Sequence, residues 1–416
     1  MTARRVGPRW LVLFTLAWLA IWTVQLTPVQ LLLPLQLDTQ NSGGNWLDGV
    51  VWSGLVLSAG GVAGIIAAPL AGRLSDRTRS RWGRRRPWAI GGSLLAALAL
   101  VATGFSSGPL AVGIAWVGVS VGIATASAAL TALIADQLSE QRGVASAAAS
   151  SAQAVGIVVG VGAVVLLGLG IVESYLALAG FIAIVGTSTA LLLPDPPVTR
   201  FSSGDATESV LQRVSSLREP NFRWLLVSRL AVNIGNALGT ALLLFFLLYG
   251  LGTPASRAED DLLILIVIYT VFVVIASIVA GQISDRRGHR KAITMVAAAV
   301  QSISGIVILL SPSYTTMMFA AGIMGVGYGA YMAVSLAFST DLLRDPDDHA
   351  RDLGFVNVSA SLGQLIGPLL GAGLVAVVGG FWLLFFGATV FSLIGAAMTM
   401  KVKTPQLSPA PQPAPH

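Results

Sequence analysis

Long apolar segments alternate with short polar ones along this chain of 416 residues. Twelve of the apolar segments reach the length of about 20 residues that a helix needs to cross a bilayer. They lie at 10–37, 50–72, 88–106, 109–135, 143–169, 174–193, 222–250, 261–282, 291–311, 314–342, 353–378 and 381–400. The pattern predicts an all-α polytopic membrane protein with twelve transmembrane helices.

A longer polar interruption, residues 194–221, divides these segments six plus six. We therefore expect an N-terminal six-helix bundle at 1–193, a linker at 194–221 and a C-terminal six-helix bundle at 222–400. Residues 401–416 are rich in proline and are expected to form a disordered tail.

Composition agrees with a membrane protein and argues against most catalytic chemistry. Hydrophobic residues make up 55% of the chain and charged residues 11%, whereas a soluble globular protein is roughly 25% charged. The mean hydropathy is +0.79. There is no cysteine, and the three histidines stand in polar segments, at His289, His349 and His416. We expect no catalytic residue, no metal, no cofactor and no enzymatic activity.

Basic residues are distributed unevenly about the predicted helices. The net charge is +6, and with the N-terminus placed inside, every Lys and Arg except Arg257 falls on the cytoplasmic side. By the positive-inside rule, both termini, the linker and the tail are cytoplasmic. The charge therefore reports topology in the plasma (inner) membrane and does not indicate a nucleic-acid partner.

The two predicted bundles share motifs in the same order. The loop GRLSDRTRSRWGRRRPW (72–88) has a shorter copy, GQISDRRGHRK (281–291), and helices 4 and 10 both end on an aspartate. The matched positions are Gly72 with Gly281, Asp76 with Asp285, Gly83 with Gly288, and Asp136 with Asp341. Duplicated halves of this kind are typical of transporters that alternate access to a site at the bilayer midplane.

A third matched motif pairs small residues in helices 5 and 11. Gly156 and Gly160 in the first half correspond to Gly367 and Gly371 in the second. Glycines four residues apart let a neighbouring helix approach closely. We expect these four glycines to pack helices and not to contact a substrate.

These motifs resemble those of the major facilitator superfamily over essentially residues 10–400. Within it, DRTRSRWGRRRPW between helices 2 and 3, LTPVQLLLPLQL in helix 1 and ALIAD at the end of helix 4 resemble the glycoside-pentoside-hexuronide cation symporters and the related sucrose carriers. The resemblance implies pseudo-symmetric six-helix bundles in a lipid bilayer that move a small-molecule substrate. We expect a monomer.

The resemblance also implies a set of gating residues. Asp76, Arg77 and Arg85 would form a cytoplasmic latch that faces the N-terminus of helix 11, and Asp285 with Arg286 its degenerate partner. The full set is Gly72, Asp76, Arg77, Gly83, Arg85, Asp136, Arg142, Gly281, Asp285, Arg286, Asp341 and Arg351. The alternative interpretation is that these charges are solvated and act as topology signals.

No acidic residue falls at the centre of a predicted helix. Intramembrane carboxylates are the usual sites of proton or sodium coupling. At the positions where the melibiose-type symporters carry cation-binding aspartates, this chain has Gly64 and Ala68. Two interpretations stay open: a facilitator without coupling, or proton coupling through a boundary acid such as Asp38 or Asp136.

The predicted interior instead holds amides and aromatic rings, which suit the hydroxyls and the apolar face of a neutral polyol. The candidate substrate-binding residues are Trp22, Gln25, Gln30, Asn233, Asn236, Tyr328, Tyr331, Asn357 and Gln364. Hydrogen bonds between helices are the alternative role for any one of them. Arg229 is the one basic residue in the interior of a predicted span, about two turns from its cytoplasmic end. Its possible roles are snorkelling, pairing with Asp341 and binding an anionic substrate.

Three functions remain open at this point. The first is a transporter of a neutral sugar or glycoside that works by alternating access. The second is a multidrug or metabolite exporter of the same superfamily, because the apolar lining also suits apolar solutes. The third, from a different class, is a non-transporting membrane sensor or scaffold, which would be expected to have eroded gating motifs.

Overall fold

The computed structural model describes residues 6–40, 45–138, 142–195, 219–342 and 349–403, apart from the side chains of 135, 142, 143, 340 and 349–357. Most of the predicted linker and residues 404–416 of the predicted tail lie outside this description. The described part is almost entirely helical.

Twelve helices follow one another along the chain. They are α1 (Pro8–Thr39), α2 (Trp46–Arg77), α3 (Arg86–Phe105), α4 (Pro109–Gln137), α5 (Arg142–Leu166), α6 (Ile171–Leu192), α7 (Pro220–Ala241 with Leu243–Gly250), α8 (Ala255–Arg287), α9 (Arg290–Leu310), α10 (Tyr314–Asp341), α11 (His349–Val378) and α12 (Trp382–Lys401). Among the described residues, eleven helices are long and apolar enough to span a membrane, and α7 adds a twelfth span that is bent by 44°. The prediction of twelve transmembrane helices is confirmed.

Local sequence explains several helix ends. Proline stands in the first turn of α1, α3, α4 and α7, where its missing N–H leaves no hydrogen bond unmade. The Asn45 side chain accepts a hydrogen bond from the backbone N–H of Leu47 at the start of α2. Gly288 ends α8 in the left-handed conformation, with φ +65°.

The same five helix pairs pack together in each half. In the first half, α1 packs on α5 and α6, α4 on α2 and α3, and α3 on α6. In the second half, α7 packs on α11 and α12, α10 on α8 and α9, and α9 on α12. Each pair in one half has its counterpart six helices later, so the two predicted pseudo-symmetric bundles are confirmed.

Small residues allow the closest packing within each half. A Cβ on Gly156 would lie 3.0 Å from the backbone nitrogen of Thr23 in α1, and a Cβ on Gly160 would collide with Thr27. In the second half, a Cβ on Gly367 would collide with Ala237 in α7. The prediction that these glycines pack helices is confirmed.

The halves meet along two symmetric helix pairs, α2 with α11 and α5 with α8. We call the end of the bundle where α2 begins the Trp46 end. The opposite end, where α2 joins α3 and α8 joins α9, is the basic end, because it carries the arginine-rich loops.

Candidate functional site

The two halves are in contact at the Trp46 end. The hydroxyl of Tyr249 in α7 donates to both carboxylate oxygens of Asp38 in α1, at 2.8 and 3.0 Å. The Trp46 ring stacks on those of Tyr249 and Phe381, with centroids 5.1 and 5.4 Å apart. About three turns further along α2, the Ser58 hydroxyl donates to the backbone carbonyl of Leu365 in α11 at 3.0 Å. These contacts cross from one half to the other.

At the basic end, an ion cluster ties three helices of the first half together. The Arg85 guanidinium lies 2.5 Å from a carboxylate oxygen of Asp76 in α2 and 2.9 Å from one of Asp136 in α4. It also donates to the Ser75 hydroxyl at 2.5 Å. Arg84 reaches the other Asp136 oxygen at 2.7 Å. These contacts all join residues of one half, and Arg85 at their centre is buried.

Electrostatics keep this cluster ionised. Burial alone would lower the pKa of the Arg85 guanidinium, but hydrogen bonds and charge from Asp136 and Asp76 raise it overall. Asp136 lies two residues beyond the apolar span Pro109–Ile134. Burial alone would raise the pKa of its carboxyl, but hydrogen bonds from Arg85 and Arg84 lower it overall. Both partners are therefore charged at neutral pH.

A further acid, Asp195, holds the loop that carries these arginines. Its carboxylate accepts hydrogen bonds from the backbone N–H groups of Arg85 and Arg86 at 2.6 and 2.8 Å, at the N-terminus of α3. Gly83 lies directly against it, with φ +100°, and a Cβ there would collide with the Asp195 carboxylate. The conformation and the close approach both require glycine at this motif position.

The second half carries a looser copy of the cluster. Arg290 donates to Asp341 at 2.5 Å and to the backbone carbonyl of Ala337 at 3.0 Å. Its distance to Asp285 is 3.7 Å. The side chains of Arg290 and Asp341 are 25% and 45% exposed, against 6% for Arg85. Fewer contacts and more solvent make this copy the weaker of the two.

The predicted gating residues divide into three groups. Asp76, Arg85, Asp136, Asp285 and Asp341 lie in the two clusters, and Gly83 supports the first. The arginines next to the motif aspartates do not join them: Arg77 and Arg286 are exposed and form no ion pair with a described residue. The side chains of Arg142 and Arg351 lie outside the described residues.

The remaining predictions concern the motif glycines and the latch between α2 and α11. A Cβ on Gly72 or Gly281 would meet no described atom within 4 Å. The described ion-pair partner of Asp76 is Arg85, in its own half; the side chains at the N-terminus of α11 lie outside the described residues, so the latch stays a prediction. Sequence reasoning missed Arg84 and Asp195 at the first cluster and Arg290 at the second. Arg290 had a usable signal, because it follows Arg85 at the interval that separates Gly83 from Gly288.

Helix α1 brings a row of aromatic rings to the first half. The rings of Trp18 and Trp22 stack with centroids 6.0 Å apart, above the stacked pair Trp10 and Phe14. The indole N–H groups of Trp18 and Trp22 are buried and have no hydrogen-bond partner among the described residues. Two buried donors without an acceptor are costly unless a ligand or water completes them.

Four further polar side chains of α1 and α11 were expected to contact substrate. Gln25 and Gln30 are half-buried on α1. Gln364 is exposed on α11. Leu369, Gly373 and Val377 form an exposed stripe of this helix, and Gln364 lies on the opposite side of the helix from that stripe. The Asn357 side chain lies outside the described residues.

The predicted asparagines of α7 bond to tyrosines of α8 and α10. The hydroxyl of Tyr328 in α10 donates to the Asn233 side-chain oxygen at 3.0 Å, and the hydroxyl of Tyr269 in α8 donates to that of Asn236 at 2.9 Å. Asn233 and Asn236 are buried, and the Asn233 amide also donates to the Arg229 carbonyl at 2.8 Å. These amides therefore join helices, which was the alternative role for them.

Tyr331 does not face the space between the halves. It is fully buried with Val232, Ala297, Ala298 and Ala396, in the packing of α10 on α7, α9 and α12. Its hydroxyl is hydrogen-bonded to that of Ser228 at 2.7 Å. In this structure the Tyr331 ring packs within the second half, which helical periodicity alone did not show; substrate contact by Tyr331 stays a prediction.

Arg229 is a buried cation without a carboxylate partner among the described residues. The residue is 2% exposed, so its guanidinium does not snorkel to solvent. One terminal nitrogen donates to the Ser335 hydroxyl, the other lies 3.9 Å from the Met332 sulfur, and Nε has no partner. Asp341 bonds to Arg290 instead. Within the part of the chain that the structure describes, no cluster of metal-ligating side chains accompanies this charge.

Comparison with known proteins places these features in context. The model of the Major Facilitator Superfamily matches residues 51–259 and 255–416. The chain is 48% identical over 48 residues to "Sucrose transport protein SUT1" of Oryza sativa subsp. japonica, which is 12% of this chain and 9% of that protein. It is 33% identical over 125 residues to "Triacylglyceride transporter" of Mycobacteroides abscessus, 30% of this chain and 24% of that one.

Similarity to solved structures extends over the whole fold. A crystal structure of the nucleoside transporter NupG matches with a TM-score of 0.69 at 14% identity, over 94% of this chain and 97% of that one. At a sequence identity this low, the match shows similarity of fold and not of substrate. The sequence matches to the two relatives span less than a quarter of their own lengths.

Proposed function

The chain belongs to the Major Facilitator Superfamily of membrane transporters, and from this premise we propose that it moves a neutral sugar or glycoside by alternating access. The observation that carries the proposal is the pair of buried indole donors on Trp18 and Trp22, on the same helix as the half-buried amides of Gln25 and Gln30. Neutral donors, amides and aromatic faces match the hydroxyls and the apolar face of a sugar ring.

We propose that contacts at the two ends of the bundle form and break in turn during transport. Contacts between the halves at the Trp46 end, such as Tyr249 with Asp38, support a conformation closed on that side. The ion clusters around Arg85 and Arg290 each stay within one half. We propose that they brace the loops against which the halves close at the basic end, and that this end faces the cytoplasm of the plasma membrane.

Coupling to a proton rests on one boundary acid. Asp38 is half-buried at the junction of the halves and bonds across it to Tyr249. On gaining a proton the carboxylate would lose the charge that strengthens this hydrogen bond, which would link proton binding to opening of the Trp46 end. Asp136 is the weaker candidate because two arginines hold it ionised.

The test is uptake of labelled neutral sugars into proteoliposomes with and without an imposed proton or sodium gradient. Equilibration of one sugar without accumulation supports a facilitator. Accumulation driven by a gradient supports coupling, and Asp38→Asn should then abolish the accumulation while equilibration persists. Failure of every sugar to move would contradict the proposal.

An exporter of apolar solutes is the second candidate. The observation that favours it is the 33% identity over 125 residues to a protein named as a triacylglyceride transporter. Accumulation of a labelled apolar solute in inverted vesicles, with no sugar uptake in the same preparation, would select this alternative.

A further inference from the structure

A small cavity lies inside the second half, apart from the indole pair of α1. It measures about 40 Å³ and is bounded by α7, α8, α9, α10 and α12. Gln30 of α1 also lines it, so the cavity reaches the junction with the first half. A solute held between the halves could therefore extend one group into it.

The wall of this cavity is mostly apolar. Met317, Met324 and Leu265 line it, together with Gly239. A Cβ on Gly239 would lie 2.7 Å from the terminal carbon of Met324. A side chain at this glycine would therefore narrow the cavity or displace the methionine.

One end of the cavity is polar and incompletely bonded. The Gln301 side-chain amide donates to the Val232 carbonyl and to the Ser392 hydroxyl, both at 3.1 Å. Its oxygen, Oε1, is buried and has no partner among the described residues. Ser392 and Ser304 donate their own protons to backbone carbonyls, at 2.8 and 2.7 Å. The unpaired group of Gln301 is therefore a hydrogen-bond acceptor.

We propose that this cavity is the subsite for a hydroxymethyl-sized substituent of the substrate, whose hydroxyl donates to Gln301 Oε1. A water needs about 10–15 Å³ on this measure, so the volume holds about three heavy atoms. A CH₂OH group fits that size, and its methylene lies against Met317 and Met324. The inference rests on the proposed sugar function and deepens it: the carrier selects sugars that bear an exocyclic hydroxymethyl group over pentoses that lack it.

The subsite is tested by measuring the Kd of three probes for the purified protein by calorimetry. Each probe is used in the gluco and in the galacto series. The probes are the methyl hexopyranoside, its 6-deoxy analogue and the methyl pentopyranoside without the exocyclic carbon. One missing hydrogen bond corresponds to about tenfold in Kd. We expect the hexoside to bind at least about tenfold tighter than the 6-deoxy analogue.

Two variants remove different parts of the subsite. Gln301→Met keeps the volume of the side chain but loses the acceptor, and should bring the hexoside and its 6-deoxy analogue within about twofold. Gly239→Ala narrows the cavity beside the flexible Met324, and should weaken hexoside binding while leaving pentoside binding unchanged. Binding of the pentoside shows in each case that the variant is folded.

Gln36→Met is the matched control. Gln36 is also a buried glutamine whose Oε1 has no partner, but it bonds to the Thr103 carbonyl in the first half and does not line the cavity. Its variant should keep the hexoside preference. The subsite is overturned if the preference for the hexoside over its 6-deoxy analogue survives Gln301→Met, or if Gln36→Met loses that preference equally. Either result leaves the sugar proposal standing. Failure of every probe to bind the unmodified protein overturns both.

Discussion

At the residue scale, Gly83 shows how one position can depend on backbone conformation and on a neighbour at once. Its φ of +100° is a conformation that side chains disfavour, and Asp195 occupies the place of a Cβ. The carboxylate in turn accepts from the backbone N–H groups of Arg85 and Arg86. This glycine therefore allows the start of α3 to be capped by an acid more than 100 residues away.

Gly83→Ala is expected to destabilise the protein by about 1–3 kcal/mol, because it adds backbone strain and displaces the cap. Thermal unfolding of the purified protein in detergent measures this. Gly72→Ala is the control, because a Cβ there meets no described atom within 4 Å. Equal melting temperatures for the two variants would contradict the role assigned to Gly83.

Arg229 presents the opposite situation, a charge that no described carboxylate balances. A buried cation without an opposite charge costs several kcal/mol of desolvation. Its hydrogen bonds to Ser335 and the weak contact with Met332 offset only part of that. A residue retained at such a cost is more consistent with a role in transport than with one in stability.

Arg229→Met should leave the free energy of unfolding unchanged or raise it by about 1 kcal/mol or more, and the melting temperature should follow. The same variant should impair transport. Arg223→Met on the same helix removes an exposed arginine and should change stability by no more than about 0.5 kcal/mol. A clear loss of stability in the Arg229 variant alone would show that the cation has a partner that compensates it.

At the scale of elements, the two loop motifs are unequal copies. In the first, Arg85 joins α2 and α4 through Asp76 and Asp136 at 2.5 and 2.9 Å. In the second, Arg290 bonds closely to Asp341 but lies 3.7 Å from Asp285. The first loop is thus the more firmly bound to its helices, and the motif aspartates should differ in importance.

Asp76→Asn is expected to slow turnover about fivefold with little change in substrate affinity, since an ion pair of this exposure is worth up to about 1 kcal/mol. Asp285→Asn should have a smaller effect because its ion pair is longer. Uptake rates and KM in proteoliposomes measure both. Equal effects of the two substitutions would show that the clusters are functionally symmetric.

At the scale of the whole molecule, the halves are held together at the Trp46 end by few polar contacts. The Tyr249 hydroxyl bonds to Asp38 across the junction, and Trp46 stacks on Tyr249. A single hydrogen bond contributes about 0.5–1.5 kcal/mol. Loss of that bond is enough to move a two-state equilibrium several-fold.

Tyr249→Phe should therefore shift the population towards a conformation open at the Trp46 end and closed at the basic end. The chain has no native cysteine, so spin labels at Arg81→Cys and His289→Cys report the distance between the halves at the basic end. We expect a shorter distance to gain population. An unchanged distance distribution would show that the Asp38 contact does not govern the equilibrium.

Several features of the whole molecule could be predicted from the sequence. Apolar segments of about 20 residues, the polar interruption at 194–221 and the repeated motifs predicted twelve helices in two related halves, because length and polarity follow directly from the bilayer. The cluster aspartates, Asp76, Asp136, Asp285 and Asp341, were identified because their spacing is repeated.

The sequence by itself thus determined the fold class, the repeat and the basic end of the bundle, since these depend on composition and order along the chain. The tertiary structure alone decided that Arg290 joins the second cluster, that Arg77 and Arg286 are exposed outside both, and that Tyr331 lies in the core. It also revealed Asp195 beneath Gly83 and the cavity beside Gln301. The physical reason is that a side chain's partner depends on helix rotation and packing between distant segments, which periodicity does not specify.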